Sequence, residues 1–368
     1  MTAMHEPNAV PHATRRRRPI AAFALLGAGA AATAAAALLW RAPADSPAPY
    51  RYVVDAALSD GQAQPIRALA ERGIALEQGR IVLGDSGDAA AEFVLARSDA
   101  GPVLLDWRAR VDEPFLTLLP QPGELLKVAD AIRRHLPPDG VVLGWWDTSR
   151  ALRLLAGAPV IFDRHLGEPL IVPARWQAQR DSIAAIDRDF FAADAAADSG
   201  AKDAFAAERE RFHRFVDALL SDETSGMATL RELAGGRPAV LVLHVRDALL
   251  LGAIDPARIG VAFRDLPGMG PSHEAIRQVR DWMSTNAFPA YTVLPREGQP
   301  LRAVALTDEA SGETLAARLL PFIGNRQTDV AGATLVYRSG AFVVFELDTR
   351  ATSESASAGA RTFTSLSK

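Results

Sequence analysis

Twenty-one consecutive residues without a charge, "IAAFALLGAGAAATAAAALLW" from Ile20 to Trp40, restrict this chain more than any other feature. As an α-helix, a run of this length reaches about 30 Å, the thickness of a bilayer's hydrocarbon core. Arg15, Arg16, Arg17 and Arg18 precede the run and Trp40 closes it. By the positive-inside rule this predicts a basic cytoplasmic leader over 1–19, one transmembrane anchor over 20–40, and all that follows outside the cytoplasm. In a bacterium such a protein is a single-pass inner-membrane protein with its bulk in the periplasm, and the lipid bilayer is its first partner. Two other readings of the same residues also end in export. "APA" at Ala42 to Ala44 is a cleavage site if the segment is a signal peptide, and the arginines could serve a twin-arginine signal, although Pro19 and the long apolar run fit that poorly. Gly27 and Gly29 would let another helix pack closely against the span.

The rest of the chain has to fold in that compartment without disulfides, because the 368 residues include no cysteine. This also excludes thiolate zinc sites, iron–sulfur clusters, a lipoprotein cysteine and covalently attached haem. No cofactor and no metal is expected. With 49% hydrophobic and 23% charged positions, the chain can bury a core of one large or two ordinary domains. A formal net charge of -4 provides no basic field, so nucleic acid is not an expected partner.

After a Pro/Ala linker over 41–49, "RAPADSPAP", apolar runs alternate with helical patterns. "RYVVDAAL", "GRIVLGD", "AEFVLARS" and "GPVLLDWRARV" read as strands, and "AQPIRALAERG" and "GELLKVADAIRRHL" as helices. Residues 50–180 are therefore expected to form an α/β domain. Residues 181–236 read as a helical connector in which Phe205, Phe212, Phe215 and Leu219 share one face. Residues 237–350 read as a second, β-rich part, starting with the strand-like "RPAVLVLHVRDALLL" and ending in a hairpin, "ATLVYRS" and "AFVVFELD" joined by Ser339-Gly340. The Ser/Thr/Ala-rich tail over 351–368 predicts disorder. The fold class is α/β, or mixed α+β, as a periplasmic body on a single N-terminal transmembrane helix.

Only six tryptophans occur, and two are adjacent in "VVLGWWDTSRALRLLAG". Pro137 to Gly140 turn the chain into a short buried strand, and Asp147 or Thr148 is expected to N-cap a helix closed by Gly157. The motif thus falls at a strand end and a helix start, where alternating α/β units hold functional loops. Trp145, Trp146, Asp147, Ser149 and Arg150 could converge on a small polar ligand or a partner, with indole walls and a helix N-terminus that favours an anion. Equally, the tryptophans could be packing, one on each face of the strand, with Asp147 only a cap.

Asp163, Arg164, His165 and Glu168 follow in "FDRHLGEPLIVPARW". Asp163 and His165 join the candidate binding residues; as metal ligands they lack a tight spacing such as HExxH. His135, His213, His244 and His273 are scattered, "GMG" at Gly268 to Gly270 is too short for a nucleotide fingerprint, and no GxSxG element occurs. No catalytic residue is assigned.

Two resemblances enter here. Trp145, Trp146 and Asp147, together with the C-terminal run "LAARLLPFIGNRQTDVAGATLVYRSGAFVVFEL", resemble the WWD-containing globular domain of oligosaccharyltransferase catalytic subunits. Thr148 and Ser149 depart from that family, whose catalytic half needs many membrane spans. A single anchor, an exported body of this size, "GWWDTSRALRLLAG" and "HLGEPLIVPARW" are similar to the hydroxylamine oxidation protein HaoB family. This second resemblance implies a non-catalytic accessory or assembly role in hydroxylamine oxidation within the ammonia-oxidation pathway. It also implies, as partner, hydroxylamine oxidoreductase or another periplasmic or membrane electron-transfer protein. The alternatives are a peptide- or ligand-binding module, or a remnant glycosyltransferase-like domain, built around the WWD motif.

Overall fold

The computed structural model describes residues 47–58, 64–84, 87–110, 120–192, 199–266, 272–296, 300–325 and 330–348. The expected leader, anchor, most of the linker and the tail lie outside these residues. Among the described residues no helix is long and apolar enough to cross a membrane.

The fold is mixed α/β, with three sheets among the described residues. Strands β1 (Tyr50–Ala57), β2 (Leu76–Leu83), β3 (Ala89–Ser98) and β4 (Gly101–Ala109) form an antiparallel meander in sequence order. Helix α1 (Gln64–Glu71) links β1 to β2. Gly79 of β2 faces Phe93 of β3 in register. A Cβ at Gly79 would meet the Phe93 ring and lie 2.7 Å from the Val53 carbonyl, so glycine is what lets that ring lie flat across β2. Phe93 then stacks on Trp107 and meets Tyr52 edge-on, with centroids 6.5 Å and 6.0 Å away.

The second sheet has the order β10-β11-β6-β5, from β5 (Val141–Gly144), β6 (Ala239–His244), β10 (Ala333–Ser339) and β11 (Phe342–Leu347). Here β5 and β6 are parallel, and the other pairings are antiparallel. Strands from the expected first and second parts therefore share one sheet. Every residue of β5 and β6 is buried, as a strand covered on both faces must be. The period of two sorts them. Val141, Leu143, Leu241, Leu243, Val343 and Phe345 face helices α5 (Ser199–Leu220) and α6 (Glu223–Ala234), which bring Phe212, Phe215, Leu219 and Leu230. Val142, Val240, Val242 and Val344 face helices α2 (Pro122–His135) and α3 (Trp146–Ala156), with Val128, Ile132, Leu152 and Leu155. The same α2/α3 layer meets Val94, Ala96, Val103 and Leu105 of the first sheet. The hairpin expected at Ser339-Gly340 is present, with Ser339 opposite Phe342.

A 3-10 helix (Ala174–Gln179) and helix α4 (Arg180–Phe191) carry Phe190 and Phe191 against Tyr52 of β1. The expected strand "RPAVLVLHVRDALLL" is a strand only to His244, after which helix α7 (Val245–Ile254) begins. The reason is a capping box: the His244 ring accepts from the helix start, and the Asp247 carboxylate returns a bond to the His244 N–H. Apolar on most sides, α7 is a buried helix, which hydrophobic periodicity cannot separate from a buried strand. The third sheet, β7-β9-β8, comprises β7 (Val261–Asp265), β8 (Ala290–Leu294) and β9 (Arg302–Leu306), all antiparallel. Helix α8 (His273–Asn286) packs Ala275 and Val279 on one of its faces. Two short helices, α9 (Glu309–Gly312) and α10 (Leu315–Leu319), lead from β9 toward β10.

Candidate functional site

Because β5 and β6 run parallel, the helices that follow them, α3 and α7, start side by side at the same edge of the sheet. The WWD motif occupies the first of these starts. Trp145, not Asp147 or Thr148, is the N-cap of α3, and its side chain makes no cap bond; the helix begins two residues earlier than a cap at Asp147 predicts. Gly157 closes the helix in the left-handed conformation, φ 65°.

The two indoles diverge from this start instead of straddling the strand, which ends at Gly144. Trp145 is 1% exposed and meets Phe212 edge-on at 5.2 Å, inside the core under α5. Trp146 is partly buried; its indole N–H donates to the Glu168 carbonyl, and its ring lies 4.4 Å from that of His165. The buried Ser149 hydroxyl donates to the Gly144 carbonyl at 3.2 Å and fastens the strand-to-helix turn.

Asp147 turns toward α7. Its carboxylate pairs with Arg246, whose guanidinium also donates to the Thr148 hydroxyl at 2.9 Å and lies 3.5 Å from Asp247. The Arg246 side chain is 2% exposed, so this is an ion pair with one member taken wholly out of water. The chain of polar groups continues inward. Asp247 accepts from the His244 N–H at 2.9 Å, and His244 Nε2 stands 3.7 Å from Glu124 at the start of α2. Burial pushes the Asp247 carboxyl up to about 7 against the opposing pull of Arg246. Burial also lowers the His244 imidazole, with Glu124 opposing.

Arg150 lies one turn beyond Trp146 on the same helical face. It is 3% exposed, its Nη2 donates to the Ala100 carbonyl at 2.8 Å, and its Nε has no partner among the described residues. Burial draws this guanidinium down to about 10 despite Asp163, Asp147 and Glu208 nearby. His165 keeps some exposed surface, but its ring lies between Trp146 and Phe191, stacked on the latter at 4.0 Å. Burial, then Arg150, pulls its pKa down to about 3, leaving a neutral imidazole.

Trp146, Asp147, Arg150 and His165 thus meet at one cavity of about 80 Å³, lined also by Leu104, Leu125 and Phe191. Trp145 and Ser149 belong to the core beneath it. Asp163 is elsewhere: its carboxylate pairs with Arg153, and its N–H donates to Glu208 at 2.6 Å. Glu168 pairs with Arg209 and His213, not with His165. Among the described residues no group of three His, Asp or Glu is placed to hold a metal. Arg246 was not foreseen as a site residue, since only the β5/β6 register brings position 246 beside position 147; the one local signal was the His244-x-x-Asp247 cap.

A family model described as HaoA-associated protein HaoB matches residues 14–347. No curated protein matches the chain. Among solved structures, the crystal structure of the C. jejuni PglB C-terminal domain aligns at TM-score 0.33 and 11% identity, covering 60% of this chain and 98% of that one. A likeness at that score carries no argument about the fold or the site.

Proposed function

This chain belongs to the HaoA-associated protein HaoB family, and from that premise we propose that it is a non-catalytic accessory protein of hydroxylamine oxidation. HaoA, the hydroxylamine oxidoreductase, is its partner, and the chain holds that partner at the periplasmic face of the inner membrane. The observation that carries the reading is the extent of the family match, residues 14–347 of 368. It takes in the arginine run and the apolar segment as well as the folded body, which supports an anchor as part of the family's pattern and not an accident of this sequence.

The chemistry at the WWD motif supports a role without turnover. A general acid or base needs a proton-exchanging group at a reacting atom with a pKa near the working pH. Asp147 is committed to Arg246; the Asp247 carboxyl, although pushed up to about 7, is buried and, with His244, committed to the start of α7; and His165 stays neutral far below neutral pH. These groups hold elements together.

The test has two parts. Purified full-length chain in mild detergent is expected to leave hydroxylamine unconsumed on its own, while loss of the chain from cells is expected to lower HaoA activity recovered with membranes. Export-dependent reporters fused after Tyr50 should be active and cytoplasmic reporters silent. Hydroxylamine turnover by the isolated chain would overturn the accessory reading, and an active cytoplasmic reporter would overturn the topology.

A further inference from the structure

The charge balance of the cavity beside Arg150 is unusual. A buried guanidinium costs several kcal/mol of lost hydration unless an anion and hydrogen-bond acceptors replace the water. Among the described residues Arg150 has one carbonyl, that of Ala100, and an Nε with no partner. The carboxylates that act on it from a distance are each engaged elsewhere. Asp147 pairs with Arg246, Asp163 with Arg153, and Glu208 accepts the N–H groups of Asp163 and Arg164 at 2.6 Å and 2.8 Å. The protein therefore builds a desolvated positive charge against a cavity and leaves it short of a counter-charge.

The walls narrow the choice of anion. Leu104, Leu125, Phe191 and the Trp146 ring are apolar, His165 adds a neutral ring nitrogen, and the Asp147 carboxylate and Thr148 hydroxyl on the wall are both bound to Arg246. About 80 Å³, against the roughly 15 Å³ that one water centre needs, admits a handful of heavy atoms. We propose that this cavity binds a short-chain monocarboxylate, with the carboxylate on the Arg150 guanidinium and the alkyl end against Leu104, Leu125 and Phe191. A charge-assisted bond to a buried guanidinium supplies the affinity, and the apolar end distinguishes such a ligand from a fully hydrated inorganic anion. The inference holds whether or not HaoA is the partner, and its test does not use HaoA.

Full-length protein in detergent is titrated by calorimetry with propionate and butyrate, and with sulfate at matched ionic strength. Saturable one-to-one binding of the carboxylates is expected, at least tenfold tighter than sulfate. Arg150→Met should weaken it by tenfold or more, and Arg150→Lys by less. Leu104→Phe narrows the cavity from a partly exposed position without touching the charge; it should weaken butyrate more than propionate, and it decides the matter if Arg150→Met does not fold. The proposal fails if the wild-type chain binds no carboxylate saturably, if sulfate binds as well as butyrate, or if folded Leu104→Phe binds both acids unchanged.

Discussion

Asp147 and Arg246 lie 99 positions apart and form the central charge pair of the motif. The residue-scale consequence differs from that of a simple helix cap. Asparagine replaces aspartate at an N-cap with little loss, but Asp147 is inside the helix, and Asp147→Asn would leave a wholly buried guanidinium with less negative charge around it. Breaking a buried pair costs about 3–5 kcal/mol; Asp147 is 24% exposed, so we expect about 2–3 kcal/mol here, read as a lower urea midpoint. A double-mutant cycle with Arg246→Met should recover part of that loss, because the stranded charge is then absent. Trp145→Ala should cost about 3–5 kcal/mol, since it empties a core position. Trp146→Ala, at the cavity wall, should cost less. His165 gives a pH signature. Its folded pKa near 3 lies below its ordinary value of 6.5, so between these values the unfolded chain binds more protons than the folded one. Stability is therefore intact above pH 6.5 and falls as pH drops toward 3, by up to about 1.4 kcal/mol per pH unit. Other groups add to acid unfolding, so the difference is the test: melting curves of His165→Gln should decline less steeply than those of the wild type over that range. Part of this site was legible in the sequence. Trp146 and Arg150 are four residues apart and so share a helix face, and His165 follows close by. Arg246 was not legible, because pairing between β5 and β6 is a long-range fact that no local pattern carries.

At the scale of elements, the strands of the first sheet and the final hairpin are readable because each is bounded by turn residues and rich in β-branched or aromatic side chains. Two elements are misread, for physical reasons. The residues after His244 are apolar on most sides, and only the capping box separates strand from helix there. The start of α3 is displaced because the strand-to-helix turn is held by Ser149 on Gly144 and by burial of Trp145, not by an Asp cap. Helix packing yields a further prediction at Gly226 of α6. A Cβ there would meet the Ala218 carbonyl of α5 and lie 2.7 Å from Leu315 Cδ2 of α10. Alanine is the better helix former by about 1 kcal/mol, yet overpacking a tight contact costs about 1–3 kcal/mol. Gly226→Ala should therefore lower Tm in a thermal melt, whereas a solvent-facing glycine in the same helix would raise it.

At the scale of the whole molecule, three features stand together: a folded α/β body, a family match that includes the apolar N-terminal segment, and a motif whose charges join two helix starts. They fit the proposed role of a scaffold that holds a partner at the membrane. A partner has to be found physically with such a scaffold. The most direct measurement is affinity purification of the full-length tagged chain from native membranes in mild detergent, with HaoA quantified in the eluate by mass spectrometry against an untagged control. HaoA should be enriched at a fixed ratio to the tagged chain. HaoA at control level, with the tagged chain itself fully recovered, would contradict it.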